Sequence, residues 1–263
     1  MSTGRTFELA AAVAPALLVG CSALLDLDGL QGTGAGVEAS KDAGNLREES
    51  GADGGGLDTG TRRAFSDSFD RADGPIGNGW TEKLPGRFTI VAERLSVNLI
   101  DATYRDSVVY RPESENLADV EVAVDITVAA FTSKLFPQIH ARVQTATVGQ
   151  PNTLDSYVLY YDSGRSAALL GRAHGTGSVF PLTTFVLSSA PQPSEPFRLR
   201  LRVKGAAPVT LEAFVERVRQ GTILGSQTYS DEGPDRIDTA GSVGISDNQS
   251  SGYTLDNFSR TQL

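Results

Sequence analysis

The sequence predicts an all-β protein in which two antiparallel sheets pack face to face, after an amino-terminal segment that does not fold. Three observations support this fold class. Short stretches alternate apolar and polar residues with the two-residue period of a strand that is buried on one face. Turn-forming Gly, Pro, Asn and Asp residues separate many of these stretches. No stretch after residue 64 shows the period of an amphipathic helix.

The amino terminus carries a short apolar segment that ends at the only cysteine. The uncharged run from Leu9 to Gly20 is too short to cross ~30 Å of hydrocarbon as a helix, but it suits the core of a signal peptide. Its end, Leu18-Val19-Gly20-Cys21, resembles the bacterial lipobox. The resemblance implies that residues 1–20 are removed and that Cys21 carries a lipid that binds the membrane. An ordinary signal peptide with a chance cysteine is the alternative.

The residues after the cysteine indicate a location and a tether. Ser22, rather than Asp, follows Cys21, and among lipoproteins this favours the outer membrane of the cell envelope. No aromatic residue occurs between Phe7 and Phe65, and Gly, Asp, Glu, Ser and Thr dominate the segment. Such a composition buries too little apolar surface to offset chain entropy. Residues 21–63 are therefore predicted to be a disordered, lipidated linker that precedes one domain at 64–263.

The clearest strand prediction in that domain begins at Val120. Val120, Val122, Val124, Ile126 and Val128 share one face, with acidic and polar residues on the other. The stretches 139–144, 197–204 and 211–216 alternate in the same way. Further strands are predicted at Phe88–Val91, Leu95–Leu99, Ser107–Tyr110, Tyr157–Tyr161, Ala167–Gly171, Thr183–Leu187, Thr222–Tyr229, Gly241–Ile245 and Tyr253–Phe258. With one cysteine no disulfide can form within the chain, so the fold depends on its hydrophobic core.

The order of short motifs along the domain resembles a known family. Asp70-Arg71-Ala72-Asp73-Gly74 stands near its start and Leu255-Asp256-Asn257-Phe258 near its end, and between them lie the stretches 139–144, 156–160, 198–205 and 240–245. Their order resembles the concanavalin A-like, laminin-G-type jelly-roll domains of bacterial surface proteins, over 65–260. The resemblance implies a jelly roll whose first and last strands are neighbours, with binding on a concave sheet or on rim loops.

Five residues are candidates for ligand binding on such a concave sheet. Gln138, His140 and Arg142 alternate with apolar residues and could line a sugar groove, while Tyr157 and Tyr161 could stack on a sugar. The alternatives stay open: His140 simply faces water, and the tyrosines belong to the core.

The motif Asp-x-Phe occurs at both ends of the domain, as Asp67-Ser68-Phe69 and Asp256-Asn257-Phe258. Each Asp shares a face with a Phe that should be buried, so each needs a cation or backbone N–H groups. One hypothesis is a structural Ca²⁺ held by Asp67 and Asp256, with Asp70 as a further ligand. The alternative is that both carboxylates cap turns at the edge of the sandwich.

Catalysis is not predicted. Glu121 and Asp125 share a strand face but lie ~13 Å apart, whereas retaining glycosidases place two carboxylates about 5–5.5 Å apart. His140 and His174, the only histidines, lack the Ser and carboxylate spacing of a triad. The Gly-rich stretch 171–177 follows a strand without opening a helix, so no phosphate cradle is predicted.

The net charge of −9 argues against nucleic acid as a partner, because phosphate binding requires clustered Lys and Arg. Taken together, these features predict a monomeric, lipid-anchored cell-envelope protein that recognises carbohydrate or another surface protein. A structural envelope lipoprotein without a small ligand and a diverged glycan-active hydrolase are the alternatives.

Overall fold

The computed structural model describes residues 63–98, 107–131, 135–146, 154–174, 178–247 and 252–263. The predicted signal peptide at 1–20, the lipidation site Cys21 and nearly all of the predicted linker lie outside these residues. Within the described ranges every element is a β-strand apart from one 3₁₀ turn at Glu113–Glu115. No helix in this part of the chain is long and apolar enough to cross a membrane.

The strands are short and follow one another closely. They are β1 (Ala64–Asp67), β2 (Gly74–Pro75), β3 (Thr81–Glu82), β4 (Phe88–Val91), β5 (Arg94–Val97), β6 (Ser107–Tyr110), β7 (Val120–Val128), β8 (Pro137–Ala146), β9 (Leu154–Asp162), β10 (Ala167–His174), β11 (Ser178–Val186), β12 (Phe197–Lys204), β13 (Val209–Arg217), β14 (Thr222–Asp231), β15 (Ser242–Asp247) and β16 (Tyr253–Gln262).

These strands form two antiparallel sheets, which confirms the predicted fold class. The nine-stranded sheet has the order β14-β13-β12-β7-β16-β5-β4-β2, and β1 also pairs with β16. The seven-stranded sheet has the order β11-β10-β9-β8-β15-β6-β3. The first and last strands are neighbours, with Ala64 opposite Thr261, as the family resemblance implies.

The core lies between the two sheets and explains the alternation in the sequence. On β12, every second residue is buried from Phe197 onward, and the residues between them are partly exposed. Leu199 lies opposite Val124 and Leu201 opposite Val122, so the apolar faces of β12 and β7 are in register. Burying each such side chain contributes about 1.5–3 kcal/mol, which is how these alternating stretches stabilise the sandwich without disulfides.

The outer face of the nine-stranded sheet carries ion pairs. Arg198 Nε lies 2.7 Å from Asp125 Oδ1, and Arg202 donates a hydrogen bond to Glu121. The two carboxylates weighed as a catalytic pair therefore have arginine partners on neighbouring β12. Glu121 is partly exposed, whereas Asp125 is covered by its partners and only 4% exposed.

The only tryptophan packs in the hydrophobic core. Trp80 is 8% exposed, and its ring meets that of Phe258 edge-on at 4.8 Å between centroids. The turn that delivers it contains Gly79, whose φ of +72° is costly for a residue with a Cβ. Trp80 is thus a packing residue.

Candidate functional site

The five residues predicted to bind a ligand on the seven-stranded sheet are all buried. Their exposed fractions are Gln138 6%, His140 1%, Arg142 0%, Tyr157 0% and Tyr161 1%. The structure corrects the expectation of an open groove at these positions, because no side chain of the five lies on an accessible surface.

His140 is part of a buried polar cluster on the sheet face opposite the main core. Its Nδ1 lies 2.8 Å from Ser156 Oγ and its Nε2 lies 2.5 Å from Ser246 Oγ. Ser246 donates to Gln138 Oε1 at 3.0 Å, so Ser246 accepts from His140 Nε2–H and Ser156 donates to Nδ1. Burial, together with the charge of Lys83, lowers the pKa of His140 to about 3. A neutral imidazole with both nitrogens engaged links three strands; it faces neither water nor a groove.

Arg142 connects three loops of the sandwich. Its guanidinium donates to Ala118 O at 2.7 Å, to Ile237 O at 2.7 Å and to Gly205 O at 2.6 Å. Because these three carbonyls belong to three different connections, one buried side chain fixes their relative positions.

Tyr157 contacts one of these loops, the segment 233–240. Its hydroxyl donates to Asp231 Oδ2 at 2.8 Å and accepts from Ile237 N at 3.0 Å. Burial and the hydrogen bond to Asp231 raise the pKa of Tyr157, so the hydroxyl keeps its proton. Gln144 Nε2 donates to Ala240 O at 3.0 Å. Side chains from β8 and β9 therefore hold the segment. Tyr161, the remaining aromatic candidate, is a core residue.

The segment 233–240 forms one wall of a cleft of about 470 Å³, the end cleft. The other walls come from the ends of β8, β9 and β10 and from the start of β11. The described lining residues are Gln144, Asp155, Arg172, Ala173, His174, Phe180, Asp235, Arg236, Ile237, Asp238 and Thr239.

An exposed aromatic ring and an oriented imidazole lie in this cleft. Phe180 is 56% exposed, although phenylalanine is most often buried in a fold of this kind. His174 Nδ1 lies 2.8 Å from Asp155 Oδ1, and the His174 side chain is 72% exposed. The pair leaves Nε2 of His174 directed away from Asp155 and able to bond a ligand.

The two arginines of the cleft are already engaged by the protein. Arg236 donates to Ala206 O at 3.0 Å and to Gly233 O at 3.2 Å. Arg172 Nε lies 3.6 Å from buried Asp231 Oδ2, and its Nε and Nη1 are buried with no hydrogen-bond partner among the described residues. Both guanidinium groups therefore already have partners in the protein.

The binding residues predicted from the sequence hold the segment 233–240 in place, but most of the residues that line the cleft were not predicted. Arg142 and Tyr157 were predicted to touch a ligand, but they position the wall that could do so. Arg172 and His174 belong to the Gly-rich stretch 171–177, which was weighed only as a phosphate cradle. Phe180 lies beside Pro181, and proline within a strand is typical of an edge strand. This signal could have predicted the exposed position of Phe180, because β11 is the edge strand of the described seven-stranded sheet.

The structure gives Asp67, the first residue of the calcium hypothesis, partners from within the protein. Oδ1 accepts from Phe69 N at 2.9 Å and from Arg71, and Oδ2 accepts from Arg71, from Asn78 at 3.0 Å and from Trp80 Nε1 at 2.8 Å. Five donors occupy the lone pairs that a Ca²⁺ ion would need. The cation and backbone N–H partners expected for a buried carboxylate are present, and they come from the protein.

The other two proposed calcium ligands, Asp256 and Asp70, have different surroundings from Asp67. Asp256 lies opposite Asp125 on β7, whereas Asp67 lies opposite Phe258, and Asp70 is exposed. Asp256 Oδ1 accepts from Asn257 N at 2.7 Å, at the register shift within β16 and not in a turn at the edge of the sandwich. No group of three or more His, Cys, Asp or Glu side chains suited to a metal occurs among the described residues.

Comparison with known proteins supports the fold. No protein-family model and no curated protein sequence matches the chain. The VIP36 exoplasmic/lumenal domain in its Ca²⁺/Man2-bound form has a TM-score of 0.51 and 10% identity, covering 76% of this chain and 87% of that one. Its Ca²⁺-bound form also has a TM-score of 0.51 and 10% identity, over 76% and 90%. The carbohydrate-binding module CBM66 from Bacillus subtilis has a TM-score of 0.46 and 12% identity, over 70% and 92%. At such identities the likeness to VIP36 shows the fold alone: this chain forms a sandwich of two antiparallel sheets.

Proposed function

We propose that this protein is a monomeric, lipid-anchored component of the bacterial cell envelope that binds carbohydrate through the end cleft. The observation that carries the proposal is the exposed ring of Phe180 in a cleft lined by carboxylate, imidazole and amide groups. A sugar ring presents an apolar C–H face and a rim of hydroxyls, so it matches an aromatic surface beside hydrogen-bonding groups.

The walls of the cleft are held in place before a ligand arrives. Arg142, Tyr157 and Gln144 fix the segment 233–240 through backbone groups. A preformed site avoids the entropy cost of ordering a loop on binding, which matters for sugars because their hydroxyls lose bonds to water. The VIP36 domain, whose Ca²⁺/Man2-bound form shares this fold, gives further support for a saccharide.

Binding is a better interpretation of the cleft than catalysis. The Asp155–His174 pair could orient a general base, which in nucleophilic catalysis would activate a hydroxyl. Thr239 has the only hydroxyl among the described lining residues, and it donates to Gln144 Oε1 at 3.0 Å. Calcium is left out of the proposal because Asp67 is saturated by protein donors.

Replacing Phe180 with Ala is expected to weaken saccharide binding at least about tenfold, because tenfold corresponds to roughly 1.4 kcal/mol and stacking supplies that much. The measurement is isothermal titration calorimetry with a panel of neutral, amino and acidic oligosaccharides. The matched control is Val186→Ala, which removes another exposed apolar side chain, 76% exposed, from the same strand outside the cleft. Equal affinities for the two variants, or no binding by the unmodified protein, would reject the proposal.

The membrane anchor is proposed from the lipobox-like residues that end at Cys21. In the native bacterium, the Cys21→Ser variant is expected to move from the membrane fraction to the soluble fraction, because no lipid can be attached. Ser22→Ala serves as the control and should stay with the membrane. If Cys21→Ser remains membrane-bound to the same extent, the anchor is not a lipid on this cysteine.

A further inference from the structure

We infer that the end cleft prefers a saccharide that carries a protonated amino group, an inference that rests on the proposed function. Three carboxylates line the cleft, from Asp155, Asp235 and Asp238, against two guanidinium groups, from Arg172 and Arg236. The charge of Arg172 is already offset by Asp231, which lies behind the wall with its side chain 2% exposed. Asp155 is paired with His174, so Asp235 and Asp238 remain beside one guanidinium, that of Arg236.

The remaining cation, Arg236, is already bonded to backbone carbonyls of the protein. Arg236 Nε and Nη1 donate to backbone carbonyls of Ala206 and Gly233, and its Nη2 lies only within 4.0 Å of Asp238. Asp235 is exposed and has no ion-pair partner among the described residues, and the Asp238 side chain is 48% exposed. Asp235 and Asp238 are thus accessible to a ligand, whereas both guanidinium groups already have partners in the protein.

The aromatic surface adds to the same preference. A cation over the face of an aromatic ring is attracted by the negative charge of the π-system when it lies within about 6 Å of the centroid. Phe180 offers such a face in the cleft, and no arginine covers it: the described cation–π contacts involve Phe65, Phe69, Trp80 and Phe214. An ammonium group on a sugar ring would meet the ring face and the carboxylates together.

A uronate, in contrast, would place its carboxylate against this excess of negative charge. Nε and Nη1 of Arg172 are buried, so these two atoms are not exposed to a carboxylate in the cleft. The charges therefore discriminate against acidic saccharides as well as in favour of amino saccharides.

The test compares the binding of three tetrasaccharides, the oligomers of glucosamine, N-acetylglucosamine and galacturonate. Binding to the full protein is measured by calorimetry at low salt and at a slightly acidic pH that protonates the sugar amine. The glucosamine oligomer is expected to bind roughly three- to tenfold more tightly than its N-acetylated counterpart, since exposed charges are partly screened. This ratio should fall as salt is raised and approach one in the double variant Asp235→Asn/Asp238→Asn.

Glu93→Gln combined with Asp70→Asn is the matched control, because it removes the same net charge at exposed positions outside the cleft. The control should keep the ratio of the unmodified protein. Equal affinity for the amino and N-acetylated oligomers, tighter binding of galacturonate, or loss of the ratio in the control would overturn the inference while leaving carbohydrate binding intact. Failure of all three oligomers to bind would instead overturn the proposed function together with it.

Discussion

Replacing Arg142 with Met is expected to lower the free energy of unfolding by about 2–4 kcal/mol. Arg142 is fully buried and donates to three carbonyls, those of Ala118, Gly205 and Ile237. An unsatisfied buried acceptor costs about 1–3 kcal/mol, and the total is reduced here because two of the three residues lie at the surface and water can reach them. Met fills a similar volume but donates no hydrogen bond.

The measurement for Arg142→Met is chemical denaturation, followed by the fluorescence of Trp80, the single tryptophan of the chain. Arg165→Met is the control, because Arg165 is 78% exposed and pairs only with nearby Asp162 at 3.5 Å. An exposed pair of this kind contributes less than about 1 kcal/mol. The Arg142 variant should also bind saccharide more weakly, since the segment 233–240 loses a support. A change in stability no larger than that of the control would show that Arg142 does not hold these loops.

Replacing Asp67 with Asn is expected to cost about 3 kcal/mol of unfolding free energy. An amide accepts on one side only, so its NH₂ group would face either Trp80 Nε1–H and Asn78 or the donors Arg71 and Phe69 N–H. The variant also leaves the Arg71 guanidinium without its carboxylate, which now lies 2.7 Å away. Far-ultraviolet circular dichroism is the suitable probe, because Trp80 is itself a partner of the mutated side chain.

The stability that Asp67 contributes should depend on pH in a defined direction. Burial opposes ionisation, but hydrogen bonds from Arg71, Trp80, Asn78 and Phe69 outweigh it and lower the pKa of Asp67 below 3.8. A lowered pKa in the folded state means that the contribution is complete above about 3.8, the pKa in the unfolded chain, and is lost as the pH falls through the folded-state value. The difference in stability between the unmodified protein and the Asp67→Asn variant should therefore shrink in acid. Asp70→Asn, at an exposed neighbour, should leave stability nearly unchanged; a similar loss in both variants would contradict this account.

The fold could be predicted because it depends on local alternation. The two-residue period of Phe197–Lys204 and of the valines on β7 arises because one face of each strand is buried. The turns between strands are rich in residue types that favour turns. Strand order across the sheets is a long-range property, and only the family resemblance indicated that β1 and β16 are neighbours.

The site was harder to predict because polar residues on a strand do not reveal what covers them. His140 alternates with apolar residues as a surface residue would, yet it is buried by contacts with Ser156 and Ser246 from two other strands. Arg142 departs from the regular strand, with a φ of +52°, which redirects its side chain towards the loops. Neither the pairing partners nor that backbone change can be inferred from spacing.

The most direct test of the account is where a saccharide binds on the molecule. A titration followed by ¹H–¹⁵N NMR with the oligosaccharide that binds best should shift the amides of His174, Phe180 and the segment 235–239 most strongly. Shifts centred instead on His140 and Ser246, on the opposite face of the seven-stranded sheet from the main core, would place recognition on that face and contradict the end cleft as the binding site.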